Sequence, residues 1–137
     1  MQILLNFNLP SDIVAENIFV AYLKIYYLSK NNNPFDVLGS FLNGEHLTYD
    51  YTPIDGNDYK PPIMITPTII VADSSTPTND WIEINVTDFI KNDLSIGKAQ
   101  FRFYFAIPTN NDNQWNYCSF YSADNTTNKP YLEIYYY

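Results

Sequence analysis

Apolar and polar side chains alternate at a period of two along much of this chain, and the longest such run covers residues 18–28. Successive side chains of a strand point to opposite faces, so one side of this run is predicted to face a core. That side carries Phe19, Ala21, Leu23, Ile25 and Tyr27. The other side carries Tyr22 and Tyr26 and is predicted to face solvent.

Short runs of the same kind recur between turn signals rich in Pro, Gly, Asn and Asp. They lie at residues 2–9, 35–42, 63–65, 68–71, 81–86, 100–107, 117–121 and 131–137. Pro67 separates two of them, so at least one of that pair is predicted to be an edge or bulged strand. Thr87 and Asp88 offer an N-cap for one short helix near residues 87–93. Eight or nine strands with almost no helix predict an all-β, antiparallel, jelly-roll-like sandwich.

The length and the charge of the chain limit the classes of protein to which it can belong. At 137 residues the chain is long enough to bury one hydrophobic core without disulfide or metal cross-links, and we expect a single domain over residues 1–137. The net charge is −8 and the seven basic residues are scattered. Nucleic acid is therefore not an expected partner, because a phosphate-binding face needs clustered Lys and Arg. No apolar stretch reaches the ~18 residues of a membrane span, so membrane insertion is not expected.

The polar residues are mostly neutral. Only 16% of the residues are charged, and Asn, Ser and Thr supply much of the remainder, as is common in extracellular and virion proteins. Met1 leads straight into an apolar strand, so we interpret the sequence as a mature domain, with an added Met, excised from or part of a larger extracellular protein. Cys118 is the single cysteine, which precludes an internal disulfide and predicts a small buried hydrophobe.

Five motifs stand in order along the chain. They are LLNFNLP at residues 4–10, AYLKIY at 21–26, INVTDFI at 84–90, FYSAD at 120–124 and PYLEI at 130–134. This order resembles the DNRLRE-type domain, also met as a carbohydrate-binding module of secreted archaeal and bacterial surface proteins. Family members tend to carry a further strand before the first one seen here. The resemblance implies a jelly-roll-like sandwich on a secreted protein, with glycan binding or a structural role and no catalysis.

Catalytic residue types are few. His46 is the only histidine and lies beside Glu45, but a histidine in a loop is usually solvated rather than a base. A thiol pair of Cys118 with His46 has weaker support. Arg102 is the only arginine, which argues against a lyase that needs a cationic groove. We therefore expect no enzymatic activity and no certain cofactor.

A calcium site is the one metal site with a local pattern. Asp55, Asn57 and Asp58 concentrate oxygen ligands in one turn, as Ca²⁺ prefers. The same residue types form turns without any ion, so both interpretations stay open. A zinc site of His and Cys is excluded by their number.

The loop around Trp115 is the predicted ligand site. Sugar rings stack on exposed Trp and Tyr, and Asn and Asp bond the hydroxyls. Asp112, Asn113, Trp115 and Tyr117 supply both chemistries in one short segment. The alternative is that Trp115 folds back to cover a sheet end, as large aromatic residues commonly do.

Other aromatic residues are predicted to be structural. Trp81 opens a strand and is expected to pack. A group of tyrosines falls opposite the core residues of their strands: Tyr22, Tyr26, Tyr131, Tyr135 and Tyr137. Such a ladder stabilises a sheet through cross-strand pairs, or forms a subunit contact.

Two functions follow. The first is a non-catalytic extracellular module, on a cell or virion surface, that binds a polysaccharide or cell-surface glycan for adhesion or targeting. The alternative is a structural subunit of an extracellular filament, surface layer or virion, in which neighbouring copies assemble by strand addition at an open sheet edge.

Overall fold

Two four-stranded antiparallel sheets make up most of the computed structural model, which describes residues 2–47, 69–107 and 112–137. The strands are β1 (Gln2–Asn8), β2 (Ile18–Asn31), β3 (Phe41–Leu47), β4 (Ile69–Asp73), β5 (Asp80–Asn85), β6 (Lys98–Phe105), β7 (Tyr117–Phe120) and β8 (Tyr131–Tyr136). Two short helices, α1 (Pro34–Val37) and α2 (Thr87–Asp93), and a 3₁₀ turn at Ala15–Asn17 complete the described elements. The predicted all-β sandwich is confirmed.

Strand order explains how the sheets are built. One sheet has the order β1-β6-β3-β4. In the other, β5 lies along one edge of β2, and both β8 and β7 lie along the opposite edge. Tyr131 of β8 pairs with Lys24, and Phe120 of β7 pairs with Tyr27. β7 and β8 therefore follow one another along β2, and residues 121–130 leave the sheet between them.

The predicted inward faces mostly form the core. Leu23, Ile25 and Tyr27 of β2 are buried, and so are Phe101, Phe103 and Phe105 of β6. Because β2 and β6 are internal strands of the two sheets, their inward side chains meet between the sheets and bury apolar surface there.

The first inward residue of β2 was predicted wrongly. Phe19 is 68% exposed, whereas Ile18 is 3% exposed. The pairing of β2 with β8 shifts register between Ile18 and Val20. This irregularity inserts an extra residue, so the alternation that holds from Ala21 onward reverses before it.

The predicted strand at residues 35–42 is also wrong, because α1 takes its first half. Pro34 stands in the first turn, where its missing N–H is not needed, and the Leu38 N–H donates to the Pro34 carbonyl at 2.9 Å. Gly39 then adopts φ 130°, a conformation that favours glycine. The strand consequently begins only at Phe41.

The predicted helix at residues 87–93 is confirmed, but its cap is not. The cap position is Val86, without a side-chain hydrogen bond, and Thr87 already lies in the helix. The Thr87 hydroxyl is used elsewhere: it accepts the Ala21 N–H at 3.0 Å and donates to Asn85 Oδ1 at 2.7 Å. The hydrogen bond with Ala21 links α2 to β2, and it does not cap the N-terminus of the helix.

The runs on either side of Pro67 are only partly described. Residues 63–65 lie outside the described residues, and β4 begins at Ile69. Among the described strands, β4 lies at the edge of its sheet. Its pairing with β3 shifts register between Leu42 and Asn43. The prediction of an edge or bulged strand here is confirmed for β4.

Candidate functional site

The loop before β7 is fastened to the end of β2. The side-chain amides of Asn31 and Asn32 both donate to the Trp115 carbonyl, at 2.6 and 2.8 Å. The Asn33 N–H donates to Asn116 Oδ1 at 3.3 Å. Asn32 has φ 55°, a left-handed conformation that asparagine tolerates well. The tip of β2 thus supplies three donors that fix the backbone around Trp115.

The loop is also closed on itself. Asp112 Oδ1 accepts the Gln114 N–H at 2.9 Å, and Asp112 Oδ2 accepts from Asn116 Nδ2 at the same distance. Asn113, between them, has φ 56°. A side-chain oxygen that binds the backbone two residues on is the mark of an Asx turn. Asp112 and Asn113 therefore shape the backbone of the loop that carries Trp115.

The aromatic rings of this loop face solvent. The Trp115 side chain is 81% exposed, so the alternative in which it covers a sheet end is wrong. Tyr117 is 39% exposed and opens β7, whose next residue, Cys118, is buried. Alternation along β7 therefore turns Tyr117 to the outer face of its sheet. The four predicted site residues all lie within residues 112–117, which we call the Trp115 loop.

Support from β2 was not predicted. In the sequence, residues 31–33 give only a turn signal, because Asn is frequent in turns. The bonds from Asn31 and Asn32 to Trp115 span more than eighty positions of sequence. Only the register of β2 with β7, which pairs Asn31 with Tyr117, brings them together.

The predicted calcium ligands cannot be placed. Asp55, Asn57 and Asp58 lie outside the described residues. Within residues 2–47, 69–107 and 112–137, no group of three or more His, Cys, Asp or Glu side chains is arranged to hold a metal ion. The calcium site remains a prediction.

His46 was predicted to be a solvated loop residue, and this prediction is wrong. The residue lies in β3. His46 Nε2 is 2.6 Å from Asp93 Oδ2, and the imidazole stacks on Phe89 with 4.6 Å between ring centres. Asp93 is buried at the end of α2. The pair joins α2 to β3, which is a structural role.

Cys118 is buried, as predicted, and its thiol lies 3.4 Å from the Tyr27 hydroxyl. Burial raises the pKa of Tyr27, and the hydrogen bond with Cys118 adds to that effect. Burial also raises the pKa of the Cys118 thiol. Both groups are therefore held in their neutral forms inside the sandwich.

These two raised pKa values predict weaker folding at alkaline pH. A group whose folded pKa is raised stabilises the fold fully below its unfolded pKa, and this stabilisation is lost as pH rises towards the folded pKa. The unfolded thiol and phenol titrate near 8.5 and 10, so the free energy of unfolding should fall above about pH 9. Urea unfolding of the wild type and Cys118→Val at neutral and alkaline pH would measure this, with a shallower fall in the variant. Identical pH dependence in both proteins would contradict the assignment to Cys118.

A groove opens between the sheets beside β1. A cavity of about 340 Å³ is lined by residues that include Ile3, Leu5, Phe7, Phe103, Phe120 and Pro130. A second cavity, of about 530 Å³, continues from Phe7 and Pro130 along β8. Among the described strands, β1 pairs with β6 alone. We call these two cavities together the β1 groove.

No helix in the described part of the chain is long and apolar enough to span a membrane.

The fold and the loop together define a β-sandwich module that presents a braced, exposed tryptophan. The model of Carbohydrate-binding module family 96 matches residues 1–136, and the chain belongs to this family. The comparison with curated proteins found no match. Membership supports the carbohydrate-binding part of the resemblance described above, and the DNRLRE-type label stays a prediction.

Proposed function

We propose that this chain is a non-catalytic extracellular module that binds a polysaccharide or cell-surface glycan through the Trp115 loop, and so serves adhesion or targeting. The observation that carries the proposal is the 81% exposure of Trp115 on a loop fixed by hydrogen bonds. Family membership supports carbohydrate binding in general.

The rigidity of the loop favours binding. Ordering a flexible loop costs free energy on association, and a loop already held in place avoids that cost. The contacts of Asn31, Asn32 and Asp112 fix the backbone around Trp115 in the free protein. Trp115 and Tyr117 supply surfaces for the CH faces of sugar rings, and the exposed Asn113 and Gln114 side chains supply groups for sugar hydroxyls.

A binding panel tests this function. The protein is titrated with neutral and acidic polysaccharides, with and without Ca²⁺, while quenching of tryptophan fluorescence by acrylamide is followed. The chain has two tryptophans, and Trp81 is half-buried, so the exposed Trp115 should dominate the quenching. Saturable binding that protects Trp115 is the expected result. Absence of binding across the panel would refute the proposal, and binding that needs Ca²⁺ would support the predicted ion site.

The β1 groove favours a second candidate function, a structural subunit that adds strands at a sheet edge. Uncharged edge strands are prone to pair with other chains, and natural proteins commonly protect edges with charge. Among the other described edge strands, β4 carries Asp73, β5 carries Glu83 and β8 carries Glu133, whereas the seven-residue β1 and the four-residue β7 have no charged residue. β1 is therefore the longer of the two described edges at which a neighbouring strand would meet no like charge.

Strand addition predicts self-association that a charge on β1 abolishes. Asn6 is exposed on this edge strand, and Asn6→Lys would place an ammonium group where two copies meet. Under this second function, analytical ultracentrifugation should show concentration-dependent oligomers for the wild type and monomers for Asn6→Lys. Ser95→Lys, at an exposed position after α2, is the control for the charge change. A monomeric wild type at all concentrations would reject strand addition between copies.

A further inference from the structure

Two segments of the sequence have the Asn-x-Thr form of an acceptor for N-linked glycosylation. One is Asn-Val-Thr at residues 85–87, where β5 ends, and the other is Asn-Thr-Thr at residues 125–127, between β7 and β8. No other asparagine in the chain is followed at the second position by Ser or Thr. The motif itself is short, so the surroundings of each asparagine decide whether a transferase can modify it.

Both segments adopt the same turn. Asn125 Oδ1 accepts the Thr127 N–H at 3.0 Å and the Thr127 hydroxyl at 3.2 Å. Asn85 Oδ1 accepts the same two groups of Thr87, at 3.1 and 2.7 Å. A backbone N–H can only donate, so it identifies the oxygen of each amide and leaves Nδ2, the atom that receives a glycan, outside the turn. Local conformation therefore does not distinguish the two acceptors.

The segment of Asn85 is held in the fold, although the asparagine itself is exposed. Asn85 pairs with Tyr22 in the ladder of β2 and β5. Val86 is buried in the core, and its N–H donates to the Ala21 carbonyl at 2.9 Å. The Thr87 hydroxyl accepts the Ala21 N–H. Detaching this segment would break sheet pairing and expose a core side chain.

The segment of Asn125 lies outside both sheets, since β7 ends at Phe120 and β8 begins at Tyr131. Both threonines of the motif are exposed. In the described part of the chain, the hydrogen bonds of Asn125 and Thr127 all stay within residues 122–128. This loop can therefore open without disturbing a sheet, and segments with few buried contacts open at the lowest free energy.

We propose that Asn125 is a site of N-linked glycosylation and that the folded module withholds Asn85 from the same reaction. The acceptor motif includes the threonine, so a transferase must hold three consecutive residues, and only the Asn125 segment can leave the fold to meet that need. This inference goes beyond the proposed glycan binding and uses only the extracellular location in that proposal.

The reaction needs a polyprenyl-pyrophosphate-linked oligosaccharide as the donor. Asn125 Nδ2 forms a bond to the anomeric carbon of the first sugar and loses one proton. The bond from that carbon to the pyrophosphate oxygen breaks, and polyprenyl pyrophosphate leaves with the bonding electrons. The product is a neutral, bulky group on the surface of the module.

A glycan on Asn125 would leave the Trp115 loop uncovered. That loop precedes β7 and adjoins Asn31, whereas residues 121–130 follow the opposite end of β7. The Asn125 N–H donates to the Ser122 carbonyl at 3.1 Å, and Ser122 lines the β1 groove. The modified module would thus keep its predicted ligand site and carry its own glycan beside the groove.

Transfer to the folded protein tests the proposal. The purified full chain is incubated with a purified single-subunit oligosaccharyltransferase that accepts Asn-x-Thr and with polyprenyl-pyrophosphate-linked chitobiose. Synthetic peptides of residues 80–90 and 120–130 are treated in parallel. Intact mass and peptide mapping should show a single glycan on the folded chain, at Asn125, and a glycan on each peptide.

Aspartate at each acceptor provides a matched pair of controls. Asn125→Asp keeps the oxygen that accepts the bonds of the turn but has no amide nitrogen, so the folded variant should gain no glycan. Asn85→Asp is the same change at the other segment, and this variant should be modified at Asn125 as the wild type is.

Three results would overturn the proposal. They are a folded chain without a glycan beside a modified 120–130 peptide, a glycan at Asn85 of the folded chain, and a 120–130 peptide that the transferase does not modify. None of them depends on an assay of polysaccharide binding. Failure here is therefore distinguishable from failure of the proposed function, which the binding panel measures.

Discussion

Trp115→Ala is expected to weaken glycan binding by about thirtyfold, which corresponds to ~2 kcal/mol of binding free energy. Buried aromatic anchors dominate binding energies, and Trp115 has the largest exposed ring of the described loop. The free protein should keep its stability, because a side chain that is 81% exposed contributes little to the core. Calorimetric titration and thermal unfolding of the variant measure both effects.

Two matched variants show how the loop acts. Trp115→Phe keeps a stacking surface and should recover part of the affinity. A double change, Asn31→Ala with Asn32→Ala, keeps Trp115 but removes both donors to its carbonyl, so it should weaken binding through loss of loop order. An unchanged affinity in Trp115→Ala would show that the glycan binds elsewhere on the module.

Glu45→Gln is expected to lower the free energy of unfolding by about 3 kcal/mol, because it removes the anion that compensates a buried arginine. Arg102 is only 3% exposed, and its Nη2 lies 2.5 Å from Glu45 Oε1. The contact is an ion pair without good hydrogen-bond alignment, since Arg102 Nε and Nη2 have no hydrogen-bond partner in the structure as described. Without Glu45 the guanidinium would be buried with its charge uncompensated.

The double variant Glu45→Leu with Arg102→Met provides the comparison. Replacing both members of a buried pair with apolar residues is often neutral or stabilising, so this protein should unfold within ~1 kcal/mol of the wild type. Denaturant unfolding of all three proteins gives the values. Equal stability of Glu45→Gln and the wild type would show that water already solvates Arg102.

Local patterns predicted most strands of this fold, and the two exceptions have different causes, one a distant strand pairing and the other a local helical turn. The inward residues from Ala21 to Tyr27 were predicted because alternation is a property of the strand itself. Phe19 was not, since its exposure results from a register shift with β8, more than a hundred residues later. The start of β3 at Phe41 was missed because Pro34 and Gly39 favour a helical turn within an apolar run.

The Trp115 loop was predicted from composition, but its rigidity was not. An Asn-rich segment with a tryptophan can be recognised in sequence, whereas the donors Asn31 and Asn32 join it only through the pairing of β2 with β7. The neighbourhood of the outward tyrosines depends on the same pairing. The predicted ladder of outward tyrosines included residues 131 and 135, while Tyr117 and Tyr121 join them only because β7 and β8 share one edge of β2.

That shared edge also affects how the chain is made. β2 is complete once residue 31 has left the ribosome, yet β5, β7 and β8 come from residues 80–136. The long central strand must therefore remain unpaired until residues 80–136 have been synthesised, with its apolar side exposed to other nascent chains. Pairings of such high sequence separation fold slowly, so this module should acquire its structure after synthesis and should depend on chaperones when it is produced quickly.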